Sequence, residues 1–377
     1  MTQRSQASWA ALAAAVSLSL GFSVGLPAPA AAAAQGQAAT VKKPAATAKK
    51  SPTTARKSPT TAKKSTAKKT TVKSAQARKA AANKAAAARR ARLAAARAAA
   101  IREAMIPRFK TDASGALVPD LHAAAAIIYN PETKQVLWEE HSNDKRSIAS
   151  ITKVMTAVVF SETEPNLAQK VRIERSDVYA ASTTHLRANY VVSVDDLMHL
   201  LLISSDNAAA RALARVSPWG SVGFVRRMNE KALELGLQST TYADPSGLDA
   251  ANVSSAYDMA RLIAYAAGDD QIAAIMRKKE HRLMFGPRPL KIVSTNRLLA
   301  NSELEPNVLG GKTGFINRAG WCMATLLNLP ELNQPVAVVV LGARSNAGRF
   351  TEVRNLLSWI SDKAADVVGV TAEAAGK

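Results

Sequence analysis

The first 102 residues of this 377-residue chain contain no aspartate or glutamate. They carry 20 of the 50 Lys and Arg residues, so the other 275 residues hold 30 basic and 29 acidic side chains and are nearly neutral. A segment with so little apolar bulk and such strong self-repulsion cannot bury enough surface to form a core. The net charge of +21 therefore belongs to an N-terminal appendage, and the globular fold must lie downstream.

The appendage itself has two parts. Residues 1–34 have the features of a secretory signal peptide, with Arg4 ahead of an apolar segment and several A-x-A cleavage options at its end. Residues 35–116 are predicted to form a Lys/Arg/Ala-rich arm that is disordered along a seven-residue repeat and helical from about residue 75 to 105, where proline disappears. Cleavage of the signal predicts a soluble protein outside the cytoplasm, whereas retention predicts a membrane anchor.

A polycationic arm of this kind binds anionic polymers by releasing their counterions. Export argues against chromosomal DNA as the partner. Anionic lipid headgroups and anionic envelope polymers such as lipopolysaccharide fit better, and the alternative is a charged spacer with no specific ligand.

Residues 117–363 are predicted to form one α+β domain, followed by a frayed tail over 364–377. Strands at both ends of this region and helices between them predict an antiparallel sheet that pairs distant segments and is flanked by helices, with an all-helical subdomain. Ser147, Ser193 and Asn346 are expected to cap helices. The predicted strands are 123–129, 135–139, 291–293, 311–315, 321–327 and 335–341, and the helices are 147–160, 193–203, 208–216, 222–235, 256–267 and 346–363.

Ser150 and Lys153 form an S-x-x-K motif at the start of an apolar helix. Residues three apart share a helix face, so both side chains are expected to point into one space. A serine hydroxyl needs a neighbouring base, and a lysine can serve only where desolvation or a nearby cation keeps it neutral. The motif alone is weak evidence, because residues 65–68 of the arm also match it. The alternative is a capping serine beside a solvated lysine.

Two further motifs follow in the chain. Ser205, Asp206 and Asn207 fall in a break between two predicted helices, where a hydroxyl and an amide can project into a cleft. A K-T-G motif starts a predicted strand, and its glycine would let a substrate backbone approach closely. The three motifs in this order predict an acyl-serine active site, with the last one formed by Lys312, Thr313 and Gly314.

The cysteine and histidine pattern gives no ligand spacing for a metal. Cys322 is the only cysteine and lies in an apolar run, which predicts a small buried thiol. This pattern argues against a zinc hydrolase, and we interpret as incidental the five histidines, His122, His141, His185, His199 and His281.

The three motifs together are those of penicillin-binding proteins and serine β-lactamases. Over residues 123–360 the chain resembles the low-molecular-mass penicillin-binding proteins of serine peptidase family S11, which are D-alanyl-D-alanine endopeptidases and carboxypeptidases. This resemblance implies a DD-peptidase/β-lactamase-like fold and peptidoglycan stem peptides as substrates. It rests on the motifs with their flanking residues, 148–153 and 311–314, and on residues 244–248, 255–260 and 294–299.

The resemblance also implies roles around the nucleophile. Ser150 would attack the carbonyl that follows a D-Ala, and Lys153 would take its proton. Ser205 would relay a proton to the leaving amine, and Asn207 would hold the side chains and the substrate amide. Water would then release the acyl group, and no metal or organic cofactor would be required. Penicillins would acylate Ser150 as substrate mimics.

The same resemblance assigns the K-T-G strand to substrate binding. Lys312 and Thr313 would bind the substrate carboxylate, and the charge of Lys312 would help to keep Lys153 neutral. The oxyanion hole would combine the N–H of Ser150 with an N–H from the strand after Gly314.

Within the family we expect an endopeptidase that cuts D-alanyl-diaminopimelate cross-links in the periplasm, because few residues follow Ile360 and none form a basic amphipathic helix. The alternative is a D-alanyl-D-alanine carboxypeptidase. A serine β-lactamase would share the motifs, but the Glu-x-x-Leu-Asn segment of class A is missing between Asn207 and Lys312. A non-catalytic scaffold, with the basic arm as the functional part, is the remaining alternative.

Overall fold

The computed structural model describes residues 67–104, 106–284, 289–330 and 333–363. The predicted signal peptide, the arm before residue 67 and the predicted tail lie outside these ranges. The first described element is helix α1, Ala67–Ala104, which confirms the helix predicted in the arm and is exposed throughout residues 78–96. At 1.5 Å per residue its 38 residues span about 57 Å. Among the described residues, no helix is both long and apolar enough to cross a membrane.

The other helices of the described ranges lie between residues 149 and 362. The predicted helix at 256–267 is confirmed at both ends, and those at 193–203, 208–216 and 222–235 are confirmed to within two residues. The α-helices are α2 Thr152–Ser161, α3 Arg175–Val178, α4 Val194–Leu202, α5 Asn207–Val216, α6 Gly220–Glu234, α7 Ala256–Ala267, α8 Asp270–Met276 and α9 Gly348–Asp362, and the short 3-10 helices are Ala149–Ile151, Arg297–Ala300 and Glu305–Asn307.

The main sheet is antiparallel and has five strands in the order β11-β12-β13-β3-β4, so it joins the two ends of the domain as predicted. The strand predicted at 291–293 exists but pairs only with its neighbour in a separate hairpin. The strands are β1 Phe109–Thr111, β2 Leu117–Pro119, β3 Ala125–Asn130, β4 Gln135–Glu140, β5 Arg146–Ser147, β6 Lys170–Arg172, β7 Val191–Ser193, β8 Val253–Ser254, β9 Glu280–Leu283, β10 Leu290–Val293, β11 Val308–Ile316, β12 Gly320–Leu329 and β13 Gln334–Ala343.

The central strands of the main sheet are buried on both faces. Successive side chains of a strand point to opposite faces, and on β3 Ile127 belongs to the larger core while Ile128 belongs to the smaller one. Helix α7 packs on the sheet with the larger core, and α9 covers the other face. This arrangement confirms the predicted α+β fold.

Helix α2 lies at the centre of the helical part of the domain. Residues 152–160 are all buried, as expected for a helix surrounded on every side, and α4, α5, α6 and α7 all contact it. Because α2 follows the predicted nucleophile, this packing fixes the position of Ser150 relative to the rest of the cleft.

Two predicted helix caps are wrong. Ser147 pairs with Val253 in the ladder between β5 and β8, and the N–H of the next residue, Ile148, donates to the backbone oxygen of Asn252 at 3.1 Å. The backbone is therefore still extended at Ser147, and its hydroxyl is buried without a hydrogen-bond partner.

Asn346 precedes α9 by two residues and instead accepts a hydrogen bond from the Arg349 side chain at 2.6 Å. The cap at Ser193 is confirmed, since its Oγ accepts from the N–H of Asp196 at 3.1 Å.

The ordered contacts with α9 begin before residue 117, the predicted start of the catalytic domain. Strand β1 pairs with β2, and the N–H of Arg108 donates to the side chain of Asn355 at 2.6 Å. The Arg108 guanidinium also forms an ion pair with the buried carboxylate of Glu352 at 3.0 Å. These residues tie the segment that follows α1 to the last helix.

Cys322 lies on β12 and is completely buried, as predicted. Burial raises the pKa of its thiol to about 11. A thiol of this kind is inert at neutral pH, because the reactive species is the thiolate.

Candidate active site

The predicted nucleophile and base lie next to each other at the start of α2. Ser150 sits in the 3-10 turn that leads into the helix, and Lys153 is in the first α-helical turn. The Nζ atom of Lys153 is 3.0 Å from the Oγ atom of Ser150. Ser150 lines a cleft of about 660 Å³, whereas Lys153 is completely buried behind it.

Two oxygen atoms hold the Lys153 amine in place. Its Nζ donates to the side-chain oxygen of Asn207 at 2.6 Å and to the backbone oxygen of Ser246 at 2.5 Å. A neutral amine has two N–H groups and one lone pair. Because the two oxygens take the N–H groups, the lone pair is left for the hydroxyl of Ser150, which is the geometry that a general base requires.

The surroundings of Lys153 bring the pKa of its amine close to physiological pH. Burial is the largest cause and lowers the pKa of the amine to about 7, while the nearby carboxylates of Asp244 and Asp206 raise it in part and the charge of Arg211 lowers it. Of the two causes predicted from the motif, desolvation or a nearby cation, desolvation is therefore the larger, and Lys312, which was expected to help, is not among the charges that shift the pKa of Lys153.

The S-x-N loop joins α4 to α5 and faces the same cleft. Ser205 has a φ of +62°, a conformation that non-glycine residues adopt only where the surroundings enforce it. Asp206 is buried and caps α5, accepting from the N–H of Ala209 at 3.0 Å, and its second oxygen accepts from the N–H of His185 at 2.6 Å. These bonds fix the strained residue, so its hydroxyl points at the cleft.

Lys312 on β11 contacts this loop from the opposite wall. Its Nζ donates to the Oγ of Ser205 at 2.8 Å and to the backbone oxygen of Thr313 at 3.0 Å. Burial, followed by the charges of Lys153 and Arg349, holds its pKa well below the usual range. In the described part of the chain no carboxylate bonds to this amine, so an anion in the cleft would supply its missing counter-charge.

Gly314 allows β11 to approach the serine turn closely. A Cβ atom at this position would lie 2.6 Å from the backbone oxygen of Ile148 and 3.2 Å from the backbone nitrogen of Ser150. Besides the predicted approach of a substrate, this close packing is a second reason for a glycine at position 314. The N–H of Ser150 therefore lies beside β11, where the resemblance places the oxyanion hole.

The structure brings all seven predicted site residues together, but it also contains residues that the motif analysis did not assign. Ser246 supplies the oxygen for Lys153, and the hydroxyl of Thr156 supports this turn by donating to the backbone oxygen of Pro245 at 2.6 Å. Residues 244–248 had been noted only as a family match. Their Asp-Pro-Ser-Gly composition is typical of a turn and was the available signal.

Arg349 is a further buried residue that lines the cleft. Its guanidinium donates to the backbone oxygens of Gly314 at 3.0 Å and Cys322 at 3.3 Å, and burial lowers its pKa to about 10. It therefore holds the end of the K-T-G strand while adding positive charge. Nothing in the local sequence marks this arginine.

A serine hydroxyl beside a buried lysine amine, with S-x-N and K-T-G segments on the facing walls, is the arrangement of serine acyl-transfer enzymes of the penicillin-binding class. The family model described as D-alanyl-D-alanine carboxypeptidase, peptidase family S11, matches residues 112–345. The chain belongs to this family, which confirms the resemblance drawn from the sequence.

Individual relatives agree with this assignment. The chain is 33% identical over 254 residues to a D-alanyl-D-alanine endopeptidase of Escherichia coli K12, covering 66% of this chain and 80% of the relative. It is 30% identical over 244 residues to the D-alanyl-D-alanine carboxypeptidase DacF of Bacillus subtilis 168, covering 63% of this chain and 61% of the relative. The crystal structure of a D-alanyl-D-alanine carboxypeptidase from Mycobacterium tuberculosis H37Rv matches with a TM-score of 0.60 and 26% identity, covering 66% of this chain and 95% of the other.

Proposed function

We propose that this protein is a serine DD-peptidase of peptidoglycan that cleaves D-alanyl-diaminopimelate cross-links through an acyl-serine intermediate. The observation that carries the proposal is the 3.0 Å contact between Lys153 Nζ and Ser150 Oγ, in a buried setting that brings the pKa of the amine to about 7. A buried lysine whose pKa is strongly lowered and which lies behind a cleft is typical of a functional site.

In the acylation step, Lys153 removes the proton of the Ser150 hydroxyl while the oxygen attacks the carbonyl of the D-Ala residue. The N–H groups of Ser150 and Phe315 stabilise the negative oxygen of the tetrahedral intermediate. The bond between the carbonyl carbon and the leaving nitrogen then breaks, and the proton passes through Ser205 to the leaving amine. The 2.8 Å bond between Lys312 and Ser205 orients this second hydroxyl.

The substrate carboxylate next to the scissile amide binds at Lys312 and Thr313. Its arrival raises the pKa of the Lys312 amine by supplying an opposite charge, so binding and protonation of this lysine are coupled. The hydroxyl of Thr313 already donates to Thr295 at 2.7 Å, which holds it in place at the cleft wall. In the last step Lys153 takes a proton from a water molecule, whose oxygen attacks the acyl carbon. The ester bond to Ser150 breaks, and Lys153 returns the proton to the serine oxygen.

The endopeptidase reaction is favoured over the carboxypeptidase reaction by the extent and identity of the matches taken together. The alignment spans 80% of the Escherichia coli endopeptidase at 33% identity and 61% of the Bacillus subtilis carboxypeptidase at 30% identity, whereas the solved Mycobacterium tuberculosis carboxypeptidase chain is covered to 95% at 26% identity. Both substrates present a carboxylate beside the scissile bond, and the carboxypeptidase activity therefore remains the second candidate.

The proposal extends to the rest of the chain. Residues 1–34 would direct the protein to the periplasm, residues 35–116 would bind anionic envelope polymers or lipid headgroups, residues 117–363 would form the catalytic domain, and 364–377 would be a tail. Penicillins would acylate Ser150.

Digestion of purified muropeptides tests the reaction directly. We expect the protein to convert cross-linked dimers to monomers and to leave the terminal D-Ala of monomeric pentapeptides in place. The Ser150→Ala variant should do neither, and Ser176→Ala, which changes an exposed serine on α3, should match the wild type. Release of D-Ala without loss of dimers would identify a carboxypeptidase, and hydrolysis by the Ser150→Ala variant would refute the proposed nucleophile.

A further inference from the structure

The fold brings two histidines and two carboxylates together outside the cleft. The rings of His199 on α4 and His281 on β9 are stacked, with centroids 3.8 Å apart and planes inclined by 17°. Asp195 lies one helical turn before His199, and potential ligand atoms of these three residues all lie within 4.8 Å of one another. Because 82 positions separate the histidines in the chain, no local spacing could reveal this group, and both histidines were predicted to be incidental.

The distances within the group are near those of a metal chelate. The Oδ1 atom of Asp195 and the Nδ1 atom of His199 are 3.5 Å apart, and the Nε2 atom of His281 is 3.7 Å from the Oδ1 atom of Asp196. Two ligands with zinc bonds of about 2.0–2.1 Å at a tetrahedral angle are separated by about 3.3 Å. Side-chain rotations that turn the two rings out of their stack would bring Asp195, His199 and His281 onto one ion, with Asp196 beside His281.

The burial of the group suits a site with one open side. The side chain of His199 is 5% exposed and that of His281 is 22% exposed, while Asp195 is 42% exposed. The inner wall at His199 is buried and Asp195 at the edge is open to solvent, so an ion has a path of entry. The two carboxylates also provide negative charge at the mouth.

A basic side chain contacts this group. The ammonium of Lys278 lies 2.7 Å from the Nε2 atom of His199, which must therefore carry the lone pair of a neutral ring. The other nitrogen, Nδ1, donates to the backbone oxygen of Asp195 at 2.9 Å. Lys278 is an exposed residue with a flexible stem, so its ammonium can leave.

We propose that Asp195, His199 and His281, with Asp196 beside them, bind a divalent transition-metal ion, for which zinc has the matching preference for nitrogen and oxygen ligands. Binding at Nδ1 of His199 moves the ring proton to Nε2, and the ring stays neutral. The Lys278 ammonium then has no lone pair to bond and turns to solvent. The native lysine is thus a competitor of the metal.

The ion would connect two segments that reach the cleft. Helix α4 leads into the loop that contains Ser205. Strand β9 pairs with β10, and shortly after β10 the N–H of Thr295 donates to the backbone oxygen of Ile203 at 3.1 Å. The hydroxyl of Thr295 accepts a hydrogen bond from Thr313. A metal bridge between α4 and β9 would stabilise this frame without taking part in the reaction. The inference therefore does not depend on the proposed activity.

Calorimetric titration of the untagged full chain with zinc chloride tests the site, and the visible absorption of bound cobalt(II) reports its geometry. We expect one equivalent of zinc to bind and to raise the unfolding temperature. His281→Phe keeps a ring in the stack but removes the nitrogens, and should lower the affinity at least about tenfold. Lys278→Met should raise the affinity, because it removes the competing cation.

The matched control is His122→Gln, which removes an exposed histidine elsewhere on the domain and should bind zinc like the wild type. Equal affinity of the wild type and His281→Phe would overturn the proposal, as would weaker binding by Lys278→Met. Titration needs no substrate, so either outcome is independent of hydrolysis.

Discussion

Acylation of Ser150 should depend on pH through the charge of Lys153. Only the neutral amine can accept a proton, and its pKa of about 7 gives a neutral fraction of about 0.9 at pH 8 and about 0.1 at pH 6. We therefore expect the acylation rate to fall about tenfold between these pH values. The rate of labelling by a fluorescent penicillin in excess, followed on gels or by polarisation, measures this step alone.

The Arg211→Met variant tests the cause of the shift. The charge of Arg211 lowers the pKa of Lys153, so its removal should move the midpoint of the pH profile upward. Equal acylation rates at pH 6 and pH 8 in the wild type would show that another group is the base. A rate that rises only above pH 9 would show that the amine keeps its ordinary pKa.

The same shift predicts how stability changes with pH. The folded pKa of about 7 is below the unfolded value of 10.5, so the unfolded chain binds the extra proton between these values and the free energy of unfolding rises with pH across this window. The difference of about 3.5 between the two pKa values corresponds to a change of at most about 5 kcal/mol in the free energy of unfolding. Lys153→Met should remove much of this slope in urea unfolding between pH 7 and 10, and an unchanged slope would contradict the assignment.

Three other substitutions probe the frame of the site. Ser150→Ala should abolish labelling by penicillin while leaving the circular dichroism spectrum unchanged, and persistent labelling would move the nucleophile elsewhere. Gly247→Ala places a Cβ atom against the backbone oxygen of Ala149 at a φ of +78°, so we expect a loss of about 1–3 kcal/mol in urea unfolding and much slower labelling. Arg108→Ala leaves the buried carboxylate of Glu352 without its cation, so the free energy of unfolding should fall by about 1–3 kcal/mol while the labelling rate stays unchanged. Wild-type stability of this variant would show that the ion pair contributes nothing.

The sequence predicted the elements whose pattern is local. The hairpin of β3 and β4, the apolar strands β11 to β13 and helix α7 all follow from periodicity and composition. Strands β1 and β2 and helix α8 were not predicted, because they are short and are stabilised by contacts with distant residues. The cap at Ser147 failed for a related reason, since pairing with β8 keeps the chain extended there.

The site was predictable where a side chain acts within a motif. Ser150, Lys153 and the K-T-G strand could be assigned from spacing and resemblance. Ser246 acts through its backbone oxygen, which any residue could supply, and Arg349 reaches the cleft from the last helix. Their contributions arise only when the chain is folded, and the same holds for the stacked pair His199 and His281.

The lone thiol of Cys322 makes the molecule easy to label at a chosen place. With its thiol enclosed and its pKa near 11, this cysteine should not react with maleimides at neutral pH. A cysteine introduced at the exposed Ala87 of α1 would then be the sole attachment point for a dye. Fluorescence from that position could follow the basic helix as it meets vesicles or cell-wall fragments, with the native cysteine left in place.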